Sequence, residues 1–455
     1  MKTRRILCGF IPLLLLGACG GSELSPLEDS ANGGSDNGAG HGPGWPSSGS
    51  DAGTYPVVDA GAGPRDGSTD ASKGDGGRPS DAGGPPSDAG RGEPPDPTTA
   101  TAYLINPAHT GAVLDSSLAP PLRRRWDVTF GDTTSYPLIV HGSVYVIVGS
   151  RAPAPGLLAL DARTGKTIWG PIDLGESDFN EPSLAYDGGR IFTVNGSGLI
   201  QAFDAATGLP VWASQLPYQY SFSSPLTAYR GIVYTGGAGG GGTAYAVRES
   251  DGALLWTQFV ENGDDSSPAV SDDGVYVSYA CVQAYSFDRV TGSPIWHHSG
   301  PCEGGGGNTP ILYSGKIYAR DWASSNLILD AKTGAALGSF TADAPPAFDQ
   351  GFGFFVSSGS IHATIAATEG AAWSFTGDQG LSTAPVVAGG HVYVGSRYQA
   401  LFALDERSGK QVWSDDLSDT ASSGQYSAIG TMAAAEGILV VPSGQHLVAY
   451  EHSAR

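Results

Sequence analysis

The sequence predicts an all-β fold: an eight-bladed β-propeller of four-stranded blades, closed by an N-terminal strand that completes the last blade. Three observations predict it. One phrase, apolar-x-Ala-x-Asp-x-x-Thr-Gly-x-x-x-Trp, returns along residues 157–413, with its turn glycines 36 to 44 residues apart. A second phrase, glycine followed by alternating apolar and aromatic residues, precedes every copy and occurs once more after the last. The outermost strand of the eighth unit is missing at the C-terminus and present at the other end of the domain. A period of about 42 residues holding four short strands is the sequence form of a propeller blade.

The first phrase reads LLALDARTGKTIW (157–169), IQAFDAATGLPVW (200–212), AYAVRESDGALLW (244–256), AYSFDRVTGSPIW (284–296), LILDAKTGAALG (327–338) and LFALDERSGKQVW (401–413), with a worn copy, IHATIAATEGAAW, at 361–373. Its Asp-x-x-Thr-Gly core is a tight hairpin: glycine supplies positive φ, and Asp and Thr bond the local backbone. The tryptophan falls on the outermost strand, where its face covers the seam to the next blade. The second phrase is GSVYV (142–146), GRIFTV (189–194), GIVYT (231–235), GVYVS (274–278), GKIYA (315–319), GFFV (353–356), GHVYV (390–394) and GILVV (437–441). A third, as in SSPAV (266–270), NTPIL (308–312) and TAPVV (383–387), opens the units. These are short alternating strands between turn residues.

The eighth unit has GILVV and HLVAYEH and then the chain stops. Its outer strand is available in Leu122-Arg123-Arg124-Arg125-Trp126-Asp127-Val128, and Trp126 lies 43 residues, one period, before Trp169. Closing the ring this way removes exposed sheet edges. Blades 5 and 6 depart from the pattern and are expected to be looser: Gly338 replaces the tryptophan in blade 5, Ala366 stands where Asp is usual in blade 6, and Gly370 is read as the turn glycine there.

Ahead of this domain, residues 1–18 read as a signal peptide: a basic start, a short apolar run, then small residues. The run is too short to span a bilayer as a mature helix. Leu16-Gly17-Ala18-Cys19 resembles the bacterial lipobox, which implies cleavage before Cys19 and lipidation of that cysteine; Gly20 after it favours the outer membrane. Several acyl chains anchor a protein firmly without a transmembrane helix. Residues 19–100 are then the lipidated cysteine and a disordered Gly/Ser/Asp/Pro tether, almost without large apolar residues and unable to build a core. Such a coil spans on the order of 50 Å. The propeller domain is expected over 101–455.

The formal net charge of −21 excludes nucleic acid as a partner, since phosphate binding needs a basic face. It also leaves the lipid anchor as the sole membrane contact. A monomer is expected.

The repeat resembles that of the PQQ-like, quinoprotein-type β-propellers, a family that includes the pyrroloquinoline quinone alcohol dehydrogenases and the outer-membrane assembly lipoprotein BamB. The resemblance covers residues 101–455, and INPAHTGAVLDSSLAPPLRRRW (105–126) is similar to the lead-in of single-domain members. It is specific for fold and says little about chemistry, because the matching residues hold blades together. The dehydrogenases use calcium-binding acids, an adjacent cysteine pair and a tryptophan floor. No Cys-Cys dipeptide occurs here, so no cofactor is expected, PQQ with calcium included, and no metal.

Loops joining successive blades, and the second strand of each blade to the third, line the funnel face. They carry the candidate binding residues Arg151, Asn195, Arg320, Asp321, Trp322, Arg397 and Tyr398, with Glu181, Tyr218, Tyr220, Asp264, Asp265 and Tyr426 beside them. Two glycine-rich loops, GGAGGGG (236–242) and EGGGGN (303–308), fall on the same face and read as flexible solvated loops; the alternative is that they let a ligand approach the backbone. They lack a following Lys-Ser/Thr and helix, so they are not phosphate cradles. No Ser/His/Asp set or zinc spacing is recognisable, and His297 and His298 read as surface positions of an outer strand. No catalytic residue is assigned.

Cys8 leaves with the signal and Cys19 carries lipid. Cys281 and Cys302 remain, in an oxidising compartment. They flank the third and fourth strands of blade 4, nearly opposite each other across the hairpin, which predicts a structural disulfide near the funnel rim. The functional expectation is a non-catalytic, BamB-like binding or scaffold propeller of the cell envelope, exported and lipid-anchored at the outer membrane, with an envelope protein such as an outer-membrane β-barrel as partner. The alternatives are a quinone-dependent enzyme and a surface carbohydrate- or peptide-binding protein.

Overall fold

The computed structural model describes residues 92–149, 155–175, 182–300, 307–320, 326–420 and 429–454. All belong to one compact unit, Ser80–Arg455. The predicted signal peptide, Cys19 and nearly all of the tether lie outside the described residues.

Eight antiparallel sheets of four strands each form the blades. Blade 1 is typical: Leu138–Val140 is innermost, Ser143–Val148 and Gly156–Asp161 follow, and Thr167–Asp173 is outermost. The middle strands are mostly buried on both faces and read as near-continuous apolar runs, as in Ile232–Ala238 of blade 3; Ser360–Ile365 of blade 6 departs, with His362 exposed. The outer strands alternate, because one face meets solvent and the other the next blade. Blade 8 is built from Ala433–Ala435, Ile438–Ser443, His446–His452 and Leu122–Thr129. The closing strand pairs with His446–His452, Trp126 opposite Ala449, with a register shift between Arg124 and Trp126. Its three arginines clamp the ring from both sides. Arg123 and Arg125 pair with Glu451 of the same blade. Arg124 reaches Asp415 at 2.8 Å and Asp419 at 2.6 Å, on the side of blade 7.

The repeated phrase does what its chemistry requires. In blade 1 the Gly165 N–H donates to the Asp161 carbonyl at 2.8 Å, and the Thr164 hydroxyl to the Asp161 carboxylate at 2.7 Å. That hydroxyl holds the Asp161 carboxyl below the usual range. Glycine is required at this turn for two reasons. At Gly208, φ is +72°, and an added β-carbon would lie 2.8 Å from the Trp169 indole packed on it. The same indole donates its N–H to the Ala205 carbonyl of blade 2 at 3.0 Å, so one side chain both covers and bonds the seam.

Two expectations need correction. The folded unit begins before residue 101: Thr99 and Ala100 are buried, Ala100 pairs with Ile139 of blade 1, and the Gly92 carbonyl accepts from Arg230 at 2.8 Å. Pro and Gly make this stretch look like the end of the tether, but Ala100 and Ile139 exchange backbone hydrogen bonds at 2.9 and 3.0 Å. In blade 6 the turn is shifted by one residue from the reading above. Glu369, not Gly370, holds the turn position at φ 57°, its N–H bonding the Ile365 carbonyl at 2.7 Å. Ile365, not Ala366, therefore takes the place of Asp.

Candidate binding face

One mouth of the ring is closed by the chain itself. Residues 99–115 run across the inner strands on the side of the first hairpin turns and touch every blade. The Ala100 N–H donates to Ile139 of blade 1 at 2.9 Å. The carbonyls of Thr101, Pro107, Ala108, Thr110 and Gly111 accept from Tyr186, Val270, Leu312, Phe348 and Val387, of blades 2, 4, 5, 6 and 7, at 2.7–2.9 Å. The Asp115 carboxylate accepts from Gly437 of blade 8 at 2.5 Å. His109 supplies the contact to blade 3 and is fully buried: its Nδ1 lies 3.1 Å from the Pro310 carbonyl, and its Nε2 3.3 and 3.1 Å from the Thr227 and Ser267 hydroxyls. Burial pushes the imidazole pKa down to about 4, so it is neutral, with Nδ1–H donating and Nε2 accepting. Asn106 shapes the segment, its amide donating to the Thr110 hydroxyl at 2.7 Å and the Ala112 carbonyl at 3.0 Å. Gly111, at φ 68°, is pressed against Ala347, where a β-carbon would sit 2.8 Å from the alanine methyl. Sequence reading missed His109 and its neighbour Tyr103, because this segment has no blade phase to place it.

Among the described residues no such segment crosses the opposite, funnel face, and there the expected residues behave differently from one another. Arg151, Glu181, Cys302, Asp321, Trp322 and Tyr426 lie outside the described residues. Asn195 is not available to a ligand. It is 3 % exposed, its amide donates to the Leu174 carbonyl at 3.0 Å, and its oxygen accepts from Ser197 and Leu199. It caps a tight hairpin, the commonest use of Asn in a turn. Arg320 is half-buried and donates to the Asp343 carbonyl at 2.9 Å, while its buried Nε has no partner among the described residues. Burial lowers its pKa, against the nearby Tyr103 and Asp343. Arg397 lies over the Tyr398 ring at 5.0 Å, and Tyr398 rests on Gly380, where a β-carbon would meet the ring at 2.4 Å. Asp264 has one buried oxygen without a partner among the described residues, and burial and then Asp265 raise its pKa.

The glycine-rich loop 236–242 is packed against the protein's own groups at Gly236, Gly237 and Gly239, while its tip at Gly240 is exposed, a β-carbon there meeting only the Gln219 Oε1 at 3.9 Å. A β-carbon at Gly237 would meet Phe222 at 2.6 Å, at Gly239 Tyr220 at 2.5 Å, and at Gly236 the Gly263 carbonyl at 2.5 Å. The glycines admit the protein's own rings and backbone. Tyr220 packs over the loop and donates to the Gly239 carbonyl at 2.5 Å. Tyr218, Tyr220 and Phe259 then stand out beside it. Phe259 was overlooked, although strand alternation from the inward Trp256 already turns it to solvent. The second glycine-rich loop lies mostly outside the described residues. His297 is a surface residue, as expected, stacked on Tyr285 at 4.1 Å.

Cys281 sits at the tip joining the second and third strands of blade 4 and is disulfide-bonded. The chain leaves the strand at Ala280–Val282, with Cys281 at φ 60°, and the Cys281 carbonyl lies 2.7 Å from where a β-carbon at Gly300 would stand, two residues before Cys302 in sequence. A non-reducing peptide map is therefore expected to join Cys281 to Cys302, and Cys281→Ser to destabilise the domain by about 3 kcal/mol. A free thiol at Cys302 in the unreduced protein would contradict this.

Among the described residues no group of three or more His, Cys, Asp or Glu could hold a metal ion.

Comparison with known proteins agrees with the fold. A family model described as outer membrane protein assembly factor BamB matches residues 154–321 and 323–454. A tetrathionate hydrolase of Acidithiobacillus ferrooxidans is 25 % identical over 282 residues, 55 % of each chain. The outer membrane protein assembly factor BamB of Shewanella oneidensis is 25 % identical over 256 residues, 51 % of this chain and 55 % of that one. The dehydrogenase subunit of a quinone alcohol dehydrogenase of Gluconobacter oxydans is 29 % identical over 41 % of this chain and 27 % of its own. The matched region thus spans about half the length of the first two relatives, 55 % of each. Among solved structures, BamB from Moraxella catarrhalis superposes with a TM-score of 0.56 at 18 % identity, over 72 % of this chain and 99 % of that one. The quinohemoprotein alcohol dehydrogenase of Comamonas testosteroni gives 0.59 at 14 % identity, over 79 % of this chain and 82 % of its own. These likenesses concern the fold alone, but with the family model matched across nearly all the blades, the chain belongs to the PQQ-like β-propeller family of the outer membrane protein assembly factor BamB.

Proposed function

We propose that this protein is an exported lipoprotein, anchored at the outer membrane through Cys19, whose propeller is a non-catalytic scaffold that binds an envelope protein, an outer-membrane β-barrel by class, through its funnel face. One observation carries the reading. Four aromatic side chains on that face are held out to solvent, Tyr218 at 77 % exposure, Tyr220 at 72 %, Phe259 at 68 % and Tyr398 at 58 %. Aromatic anchors dominate protein interfaces, and glycines beneath Tyr220 and Tyr398 fix two of these rings before any partner arrives, which reduces the ordering cost of binding. The lead-in has already filled the other mouth. The names of the BamB relatives and the lipobox-like Leu16-Gly17-Ala18-Cys19 support an envelope setting. The names of other relatives, a tetrathionate hydrolase and a quinone alcohol dehydrogenase, raise an enzyme as the alternative reading.

Affinity capture of the intact protein from cross-linked cells, read by mass spectrometry, tests this. An outer-membrane barrel protein is expected to be enriched. Tyr218→Ala with Phe259→Ala is expected to lower its recovery at least about tenfold, since interface aromatics cost about 2 kcal/mol each when truncated. Exposed substitutions of this kind move stability by only about 0.5 kcal/mol, so unfolding is separable as a cause. Undiminished recovery would rule these rings out as anchors, and no enriched envelope protein would sink the scaffold reading.

A further inference from the structure

Seven of the eight seams between blades are closed by an indole. The tryptophan of one blade donates its N–H to a carbonyl of the next: Trp126 to Ala162, Trp169 to Ala205, Trp212 to Glu249, Trp256 to Arg289, Trp296 to Ala331, Trp373 to Glu406 and Trp413 to Leu122, at 2.7–3.2 Å. The seam from blade 5 to blade 6 has no such ring. Gly338 takes the tryptophan's place, paired with Ile328. The turn glycine on which the ring would lie is also replaced, by Glu369.

What remains is a cleft of about 310 Å³. Tyr318, Ile328, Phe340 and Phe355 form its apolar walls, and His362 and Glu369 also line it. A β-carbon at Gly338 would find only the Glu369 Oε2 at 3.8 Å and the Ile328 Cδ1 at 4.0 Å, so the space above it is open. Glu369 is turned aside by Lys316, which bonds its other oxygen at 2.9 Å. The acceptor of the missing bond is still in place. The Ala366 N–H donates to the Gly351 carbonyl at 2.8 Å, as Ala331 does to Gly315 and Glu406 to Gly390. The Ala366 carbonyl therefore occupies the position that accepts an indole N–H at the other seams, and no donor among the described residues meets it. An apolar cavity of about 150 Å³ holds benzene; this one has room for two fused rings.

We propose that the seam between blades 5 and 6 is a binding site for a planar bicyclic aromatic group with an N–H donor, an indole by chemical class, which enters where the other seams carry tryptophan and donates to the Ala366 carbonyl. The site lies on the outer flank of the ring, apart from the funnel face.

The test is titration of the full-length protein with indole, followed by ligand-observed NMR and calorimetry. Saturable binding is expected, weakened at least about tenfold in Gly338→Trp, which fills the cleft from within and raises Tm. Should that variant fail to fold, Gly338→Leu fills part of the same space, and its loss of binding reads the same site. Benzofuran, of the same shape but without the N–H, is expected to bind more weakly. Absence of saturable binding, or binding unchanged in the folded filling variant, would overturn the site. Benzofuran binding as tightly as indole would overturn the bond to Ala366.

Discussion

A chain that begins at residue 130 is expected to lose the whole cooperative fold rather than one strand. The closing strand pairs with His446–His452 from Leu122 to Thr129. Without it Leu447 to Tyr450, fully buried in the ring, would lie along an open sheet edge prone to intermolecular pairing. Trp126 would leave with it, opening the seam to blade 1, and a buried Trp→Ala change alone costs about 3–5 kcal/mol. Arg124 would leave Asp415 and Asp419 without their cation, and the lead-in would no longer bind the inner strands. Against a typical net stability of about 5–15 kcal/mol, these losses suffice to unfold the domain. A chain beginning at residue 116 keeps the closing strand and loses only the segment that crosses the inner strands. It is expected to fold with a lower Tm. Circular dichroism and size-exclusion chromatography distinguish the outcomes; a compact, cooperative unit from residue 130 onward would show that the ring does not depend on closure.

The second large effect is acid sensitivity through His109. Its folded pKa of about 4 lies below the ordinary value of about 6.5. Between these values the unfolded chain binds a proton that the folded one refuses. Stability is therefore full above about pH 6.5 and falls as pH drops toward 4. The shift corresponds to about 3 kcal/mol in all. The groups around the ring, the Pro310 carbonyl and the Thr227 and Ser267 hydroxyls, are neutral, so burial is the cause and salt is expected to change it little. Carboxylates elsewhere titrate over part of this range, which makes the comparison with His109→Gln the informative one. Urea denaturation from pH 7.5 to 4 is expected to show the wild type losing about 3 kcal/mol more than the variant. Parallel curves would mean that the ring is hydrated or already charged.

Much of the ring was legible because each blade repeats the same physics. Alternation marked the strands, Asp-x-x-Thr-Gly marked the turns, and the position of Trp126 one period before Trp169 marked the closure. Blade 6 was misread by one residue because Glu369 performs the turn without being glycine, and Gly370 beside it attracted the assignment. The lead-in was illegible for a different reason. Its hydrogen bonds go to eight separate blades, so no local period records them, and a buried His109 looks in sequence like any loop histidine. The face was legible where exposure follows from alternation, as at Phe259. It was misjudged at Asn195, whose polar atoms turn inward to cap a hairpin, and at Gly236 and Gly237, which pack against Gly263 and Phe222.

We propose that the funnel face, and not the closed mouth, meets an envelope protein. The most direct measurement places a photo-cross-linking amino acid in the intact protein in living cells, at Tyr398 or Tyr218 on the funnel side and at Gln350 on the closed side. Covalent adducts with one outer-membrane protein from the first two positions and none from Gln350 are the expected result. Adducts from Gln350 alone, or no adduct from any position, would contradict it.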